Sequence, residues 1–107
     1  MATLNKVYLL GNLAKDPETK STNGGTNFVS LELAVDKGPN KGQDTNRASF
    51  FPVSVFGTQG DVCKKMLKKG SPVLVEGHLQ VWEKEVSGQI LKISYVVADK
   101  VEFLKTT

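Results

Sequence analysis

Apolar and polar residues alternate with a period of two through most of this sequence, and this pattern limits the chain to a sheet-forming fold. The clearest run extends from Thr26 to Asp36, where four aliphatic residues share one parity: Val29, Leu31, Leu33 and Val35. Alternation of this kind places the apolar side chains on one face of a strand. Clusters of Gly, Asn, Asp and Ser separate the runs, so the sequence predicts an all-β domain.

Five such runs surround one helical segment. The predicted strands are Lys6 to Leu13, Thr26 to Asp36, Ala48 to Gly57, Pro72 to Trp82 and Gln89 to Leu104. In the fourth strand, Val73, Val75, Leu79 and Val81 are expected in the core. The segment from Thr58 to Lys69 carries a helical apolar stripe of Val62, Cys63, Met66 and Leu67.

A helix between the third and fourth of five strands is the arrangement of the OB-fold, a five-stranded Greek-key barrel. An SH3-like barrel also has five strands, but it does not usually place a three-turn helix at that point. With 107 residues, the chain is expected to form a single domain over residues 1–107.

Catalytic and metal-binding signals are lacking. No phosphate-binding loop, dinucleotide fingerprint or nucleophile motif occurs in the sequence, so an enzyme is not expected. Cys63 is the sole cysteine and His78 the sole histidine, too few for a Cys/His zinc site. We therefore expect no catalytic residues, no metal and no cofactor.

Hydropathy predicts a soluble protein, and the charge balance is only a weak indication of its partner. The N-terminal residues lack the apolar region of a secretory signal, and no apolar run approaches the roughly 20 residues of a membrane helix. The expected location is the cytoplasm, in association with the nucleoid, with no membrane partner. The net charge of +3 leans toward nucleic acid without requiring it.

The first strand is apolar on both parities, with Val7 and Leu9 on one side and Tyr8 and Leu10 on the other. A strand of a small barrel normally faces water on one side. The outer side is therefore expected to be covered, either by the helix or by another subunit.

Four aromatic residues lie on the parity opposite the core: Phe28, Phe50, Phe56 and Trp82. A group of exposed aromatic rings among polar neighbours favours a ligand surface, and unpaired bases can stack on such rings whatever their sequence. A strand aromatic can equally belong to a subunit interface. We expect these four residues to bind single-stranded DNA.

Several basic residues are candidates for phosphate contacts: Lys6, Lys15, Lys20, Lys37, Lys41, Lys84, Lys92 and Arg47. Arg47 is the only arginine. Because paired arginine contacts dominate base reading in a duplex groove, this scarcity favours sequence-tolerant binding.

Several stretches resemble bacterial single-stranded-DNA-binding proteins. The likeness begins with the segment NKVYLLGNL at Asn5 and the segment KDPE at Lys15. It continues with VSVFG at Val53, LKKGSPVLVEGHL at Leu67 and VVAD at Val96. These pieces occur in the family's order and spacing from Asn5 to Leu104.

The resemblance implies an OB-fold domain that forms a homotetramer, with a dimer as the alternative, and protects single strands during replication, recombination and repair. The family's stacking positions match Phe50 and Phe56. At two other positions where family members often have an aromatic residue, this chain has Pro39 and Lys84. The assignment of Trp82 to the DNA site therefore depends only on its strand face. Family members commonly continue into an acidic tail that recruits enzymes. The sequence given ends at Thr107, so replication and repair proteins stay an open question as partners.

Two alternatives remain at this stage. One is a replication-restart accessory protein of the same fold, similar to primosomal protein N, which would bind DNA weakly and mainly through charge. The other is an OB-fold assembly module whose aromatic face contacts protein. In the accessory protein, lysine-to-alanine changes would matter more than aromatic-to-alanine changes. In the assembly module, Phe50→Ala would lower the oligomer mass and leave DNA affinity unchanged.

Overall fold

The alternating segments form one curved sheet with a single helix. A computed structural model of the chain describes residues 1–38 and 48–104. Within these ranges the elements are β1 (Val7–Leu13), β2 (Glu18–Ser21), β3 (Asn27–Asp36), β4 (Ala48–Phe56), α1 (Gly57–Met66), β5 (Pro72–Val86) and β6 (Gln89–Phe103). The sequence pattern does not predict β2, because its four residues are all polar and all exposed.

Five of the strands close into a ring. The pairing order is β1–β5–β6–β4–β3, and β1 also pairs with β3, while β2 lies outside the ring on β3. The β4–β6 pair is parallel and the other pairs are antiparallel. Counted along the ring strands, α1 stands between the third and the fourth. The predicted OB-fold is therefore confirmed.

One apolar core fills the barrel. Its buried residues are Leu13, Val29, Leu31, Leu33, Val53, Val55, Cys63, Leu67, Val73, Val75, Val96 and Ala98. The prediction that Leu79 and Val81 are also buried is wrong, since both are exposed. β5 and β6 continue past the barrel as a two-stranded hairpin, and their alternation persists where no core lies beneath it.

The helix is shorter than predicted, and only part of its predicted apolar stripe is buried. α1 ends at Met66, because Leu67 adopts an extended backbone. Cys63 and Leu67 of the predicted stripe are buried, whereas Val62 and Met66 are exposed. Burial raises the pKa of the Cys63 thiol to about 11, so this group stays protonated at neutral pH. No helix in the described ranges is long and apolar enough to cross a membrane.

The outer side of β1 is uncovered in the single chain. α1 packs against β3 and β4, so covering of β1 by the helix, one of the two expectations, is wrong. Tyr8 is 64% exposed and Leu10 is 58% exposed. Leu74 of β5 lies directly opposite Leu10. We call Tyr8, Leu10 and Leu74 the strand-one patch.

β1 approaches β3 closely at Gly11, where the ring closes. A Cβ atom at this position would overlap the carbonyl oxygen of Ala34 and would lie 3.1 Å from a methyl group of Val35. The nearest neighbour is backbone, which cannot swing aside as a side chain can. A larger residue at position 11 would therefore push apart the two strands that close the barrel.

Candidate nucleic-acid interface

Two of the predicted aromatic residues face each other across neighbouring strands. Phe28 on β3 lies directly opposite Phe56 on β4. Their ring centroids are 5.2 Å apart, with the planes tilted by 34°. Aromatic pairs at this separation attract each other. The two rings therefore form a fixed apolar surface on the outer side of the sheet.

Trp82 joins this pair, but Phe50 does not. Trp82 lies on the β5–β6 hairpin and lines the same groove as Phe28 and Phe56. Phe50 lies opposite Ala34, six residues along β4 from Phe56. At about 3.4 Å per residue, that separation is about 20 Å along the strand. The structure thus brings three of the four predicted aromatic residues together and leaves Phe50 as a separate, exposed ring.

The groove arises where two strands separate. β4 and β6 pair at Val53–Val96 and Ser54–Val97, and no further pairs extend this ladder in the described ranges. The space beside it is an open groove of about 480 Å³, which we call the aromatic groove. It lies between the β3–β4 surface, bordered by β2, and the β5–β6 hairpin, and a pocket of this size is typical of a small-ligand site.

Tyr95 is a fourth aromatic residue in the groove that sequence reasoning missed. It lies on β6, diagonal to Trp82, because Gln80 pairs with Tyr95 and Trp82 pairs with Ile93. Such diagonal neighbours lie within reach of aromatic side chains. The burial of Val96 and Ala98 in the structure places Tyr95 on the outer face, and the sequence alone carries no clear signal for it.

Strand β2, which the sequence pattern did not predict, places one of the candidate lysines beside the groove. Lys20 of β2 lies opposite Phe28 and lines the groove. In residues 1–38 and 48–104, the Lys20 ammonium has no ion-pair partner. A cation beside the rings is therefore available to an anion that enters the groove.

Two serines line the groove next to the phenylalanine pair. Ser30 and Ser54 lie directly opposite each other on β3 and β4, two positions along from Phe28 and Phe56. Neither hydroxyl makes a hydrogen bond to the described part of the chain. Since a hydroxyl can donate or accept, the groove offers polar groups of either kind beside its aromatic rings.

The predicted basic residues fall into distinct environments. The Nζ atom of Lys6 lies 3.6 Å from Glu76, and that of Lys15 lies 3.3 Å from Glu18. Lys15 also reaches Glu32, at 3.6 Å, and its contacts with Glu18 raise the pKa of Lys15. The Lys6 and Lys15 assignments stay predictions, but each cation already has an acidic partner.

Lys84 is placed differently from these paired lysines. Its Nζ atom lies 6.0 Å from the ring centroid of Trp82, at the limit of a cation–π contact. Lys41 and Arg47, two more of the predicted phosphate contacts, lie outside the described residues, as does Pro39. Of the basic residues predicted from the sequence, Lys20 and Lys84 are placed beside the aromatic groove within the described ranges.

His78 on β5 pairs with a carboxylate on the neighbouring strand β6. Its Nδ1 atom lies 3.2 Å from Asp99. Asp99 is the extra residue on β6 where the register with β5 shifts between Glu76 and Gly77. Among the described residues, no group of three or more His, Cys, Asp or Glu side chains could hold a metal ion.

Comparison with known families gives one match over almost the whole chain. The model of the single-strand binding protein family matches residues 4–104. Single-stranded DNA-binding protein 1 of Staphylococcus aureus strain MSSA476 is 38% identical over 103 residues, covering 95% of this chain. This chain spans 66% of the length of that relative.

Two further relatives are covered over more of their length. Single-stranded DNA-binding protein 2 of S. aureus strain Mu50 is 41% identical over 95% of this chain and 73% of its own length. The single-stranded DNA-binding protein of Clostridium tetani is 38% identical over 95% of this chain and 71% of its own length.

A solved structure, described as the Plasmodium falciparum SSB complex with ssDNA, superposes with a TM-score of 0.79. It covers 98% of both chains at 24% identity, a likeness that shows the shared fold.

Proposed function

Because this chain belongs to the single-strand binding protein family, we propose that it binds and protects single-stranded DNA without catalysing a reaction. The observation that carries this proposal is the aromatic groove, in which Phe28, Phe56, Trp82 and Tyr95 meet on the outer face of an OB-fold barrel. Replication, recombination and repair, in the cytoplasm at the nucleoid, are the processes in which it acts.

Base stacking supplies most of the affinity. Stacking of a base on an aromatic side chain contributes about 1–3 kcal/mol, a value obtained from alanine substitutions in proteins of this class rather than from this structure. Phe50 offers an open ring on β4, and Phe56 and Trp82 offer rings inside the groove. Three stacked bases contribute about 3–9 kcal/mol before the cost of ordering the strand.

Phosphate contacts are few and act as a secondary contribution. Lys20 and Lys84 border the groove and have no acidic partner in residues 1–38 and 48–104. Each phosphate contact to a single strand adds about 0.7 to the slope of log affinity against log salt. Binding through rings and a few lysines reads no particular base, which agrees with sequence-tolerant binding.

Assembly into a homotetramer forms part of the same proposal. The strand-one patch leaves Tyr8 and Leu10 exposed with no element of the described chain over them. Exposed apolar surface of this kind marks an interaction site. A second copy of the chain, packed through β1, covers it. Light scattering at micromolar concentration tests this, and a monomeric mass would contradict it.

The test of DNA binding is the fluorescence of Trp82, the only tryptophan, titrated with oligo-dT and with duplex DNA at two salt concentrations. We expect strong quenching by the single strand and little by the duplex, with modest weakening in high salt. Equal binding of duplex and single strand would contradict the proposal. Weak binding that is lost on lysine substitution, but kept on aromatic substitution, would favour the accessory-protein alternative.

A further inference from the structure

The aromatic groove has two walls that differ in origin, and this sets it apart from an open stacking surface. One wall is the Phe28–Phe56 pair on β3 and β4. The other comes from the β5–β6 hairpin, with Trp82 and Tyr95 diagonal to each other. An open platform such as Phe50 touches one face of a base, whereas a groove with rings on both sides can hold both faces.

We propose that the aromatic groove is a slot for one unpaired base, which enters edge-first between the Phe28–Phe56 pair and the Trp82–Tyr95 pair. This inference rests on the proposed function, since it specifies how one nucleotide of a bound single strand is held. Tyr95 becomes a DNA-contacting residue, and Phe50 lies outside the slot.

The groups that line the groove match the chemistry of a base. Bases splayed out of a strand are recognised by stacking on aromatic side chains and by hydrogen bonds to their edges. Ser30 and Ser54 present two hydroxyls without partners in the described chain. Because each can donate or accept, they bond to the edge of a purine or of a pyrimidine. The slot therefore selects an unpaired base without selecting its identity.

The size and charge of the groove agree with one nucleotide. A volume of about 480 Å³ lies in the lower half of the range of about 300–1,000 Å³ found for small-molecule sites. Lys20, opposite Phe28, and Lys84, near Trp82, are placed to meet the phosphates that flank the inserted base. A paired base cannot enter, because its edge is already used, and the slot discriminates against duplex DNA.

A strand with one base tests the slot directly. Two nine-residue strands are compared by fluorescence anisotropy: one fully abasic, the other abasic except for a central thymine. A lone base occupies the available base sites according to their affinities, so the variants below show which site holds it. We expect the thymine to tighten binding to the wild-type chain by about 5- to 150-fold, the range for one stacked base. A lone adenine should act within a few-fold of thymine.

Three variants locate that effect. The single-thymine gain should disappear in Tyr95→Ala and persist in Phe50→Ala. Phe103→Ala is the matched control, because Phe103 lies on the same strand as Tyr95 and is exposed, outside the groove. A gain that Phe50→Ala removes, or that Tyr95→Ala leaves intact, would overturn the slot.

Two further variants keep the test decisive if Tyr95→Ala unfolds the domain. Tyr95→Phe retains the ring and should retain the gain. Trp82→Ala alters an exposed hairpin residue and should lose it. The slot and the proposed function fail in different ways. An all-thymine strand that does not bind overturns both, whereas an all-thymine strand that binds without any single-thymine gain overturns the slot alone.

Discussion

The aromatic groove and the strand-one patch are two exposed apolar surfaces on the outer side of one barrel, and they differ in shape. The groove is concave, because β4 and β6 separate after two residue pairs. The patch lies on β1 and β5, which stay paired over six residues from Val7 to Asn12 and therefore form a continuous surface. A concave surface can enclose a planar base, whereas a continuous apolar surface fits a second copy of the same kind.

The charged residues beside the two surfaces also differ, since, in the part of the chain that the structure describes, those beside the patch are paired and those beside the groove are not. Next to the strand-one patch, Glu76 accepts a hydrogen bond from the Tyr8 hydroxyl and lies 3.6 Å from Lys6. Next to the groove, Lys20 and Lys84 have no acidic partner in the described chain. Paired charges suit a surface that loses water on assembly, and unpaired cations suit a surface that meets phosphates. Exposure alone therefore does not separate the two surfaces, but exposure, curvature and charge pairing together distinguish the proposed DNA site from the proposed assembly surface.

The largest effect is expected at the patch. Leu10→Asp places a carboxylate from each copy in an apolar contact, and an unpaired buried charge costs about 3–5 kcal/mol. The mass measured by light scattering should fall, while the affinity for a nine-residue thymine strand should not change. Met66→Asp, at an equally exposed residue on α1, is the control. Loss of short-strand binding in Leu10→Asp would show that the two surfaces are not independent.

A change that disturbs the barrel should damage both surfaces together. Gly11→Ala drives a Cβ atom into the Ala34 carbonyl, and overpacking of this kind costs about 1–3 kcal/mol. We expect a lower midpoint of urea unfolding, with assembly and DNA binding lost in parallel as the urea concentration rises. Wild-type stability in this variant would mean that β1 and β3 can separate without consequence.

In the groove, Phe56→Ala should weaken binding of oligo-dT by about 1–3 kcal/mol and leave the mass unchanged. Phe56 is 37% exposed and Phe103 is 39% exposed, so Phe103→Ala removes an equally accessible ring outside the groove. Anisotropy titrations with both variants separate a loss of stacking from a general effect of removing a ring. A fall in mass with unchanged DNA affinity would support the assembly-module alternative.

The smallest effect concerns charge. Lys20→Ala should lower the slope of log affinity against log salt by about 0.7, the contribution of one phosphate contact to a single strand. Lys100→Ala should not change the slope, because the Lys100 Nζ atom lies 3.0 Å from Glu102. The slope is measured by titrating oligo-dT at four salt concentrations. Equal slopes for the two variants would remove Lys20 from the interface.

Alternation in the sequence predicted the barrel well, because a buried face requires it. Val29, Leu31 and Leu33 are buried as expected, and α1 stands where the order of strands places it. The same pattern misled at Leu79 and Val81. The β5–β6 hairpin keeps its alternation beyond the barrel, so periodicity marks a strand but does not show what the strand packs against.

Part of the site was hidden by a change of register. The register of β6 with β5 shifts between Glu76 and Gly77, which leaves Asp99 unpaired and reverses the parity of β6. Counted back from Val101, Tyr95 has the parity of the core, although it lies on the outer face. A one-residue bulge of this kind carries no clear signal in a single sequence. Lys20 was a candidate phosphate contact, but its place on a strand beside the groove was not predicted, because β2 has no apolar residue to reveal the strand.

Strand β2 has a further consequence for how the site behaves in time. It has four exposed residues and pairs only with β3 within the described chain, yet it borders the aromatic groove. Elements with few buried contacts open locally at a much lower free energy than the core strands. We therefore expect the amide hydrogens of Lys20 and Ser21 to exchange with deuterium long before those of Leu31 and Val53. Bound DNA should slow the exchange of the Lys20 and Ser21 amides more than that of the core amides, because contact with DNA would order β2.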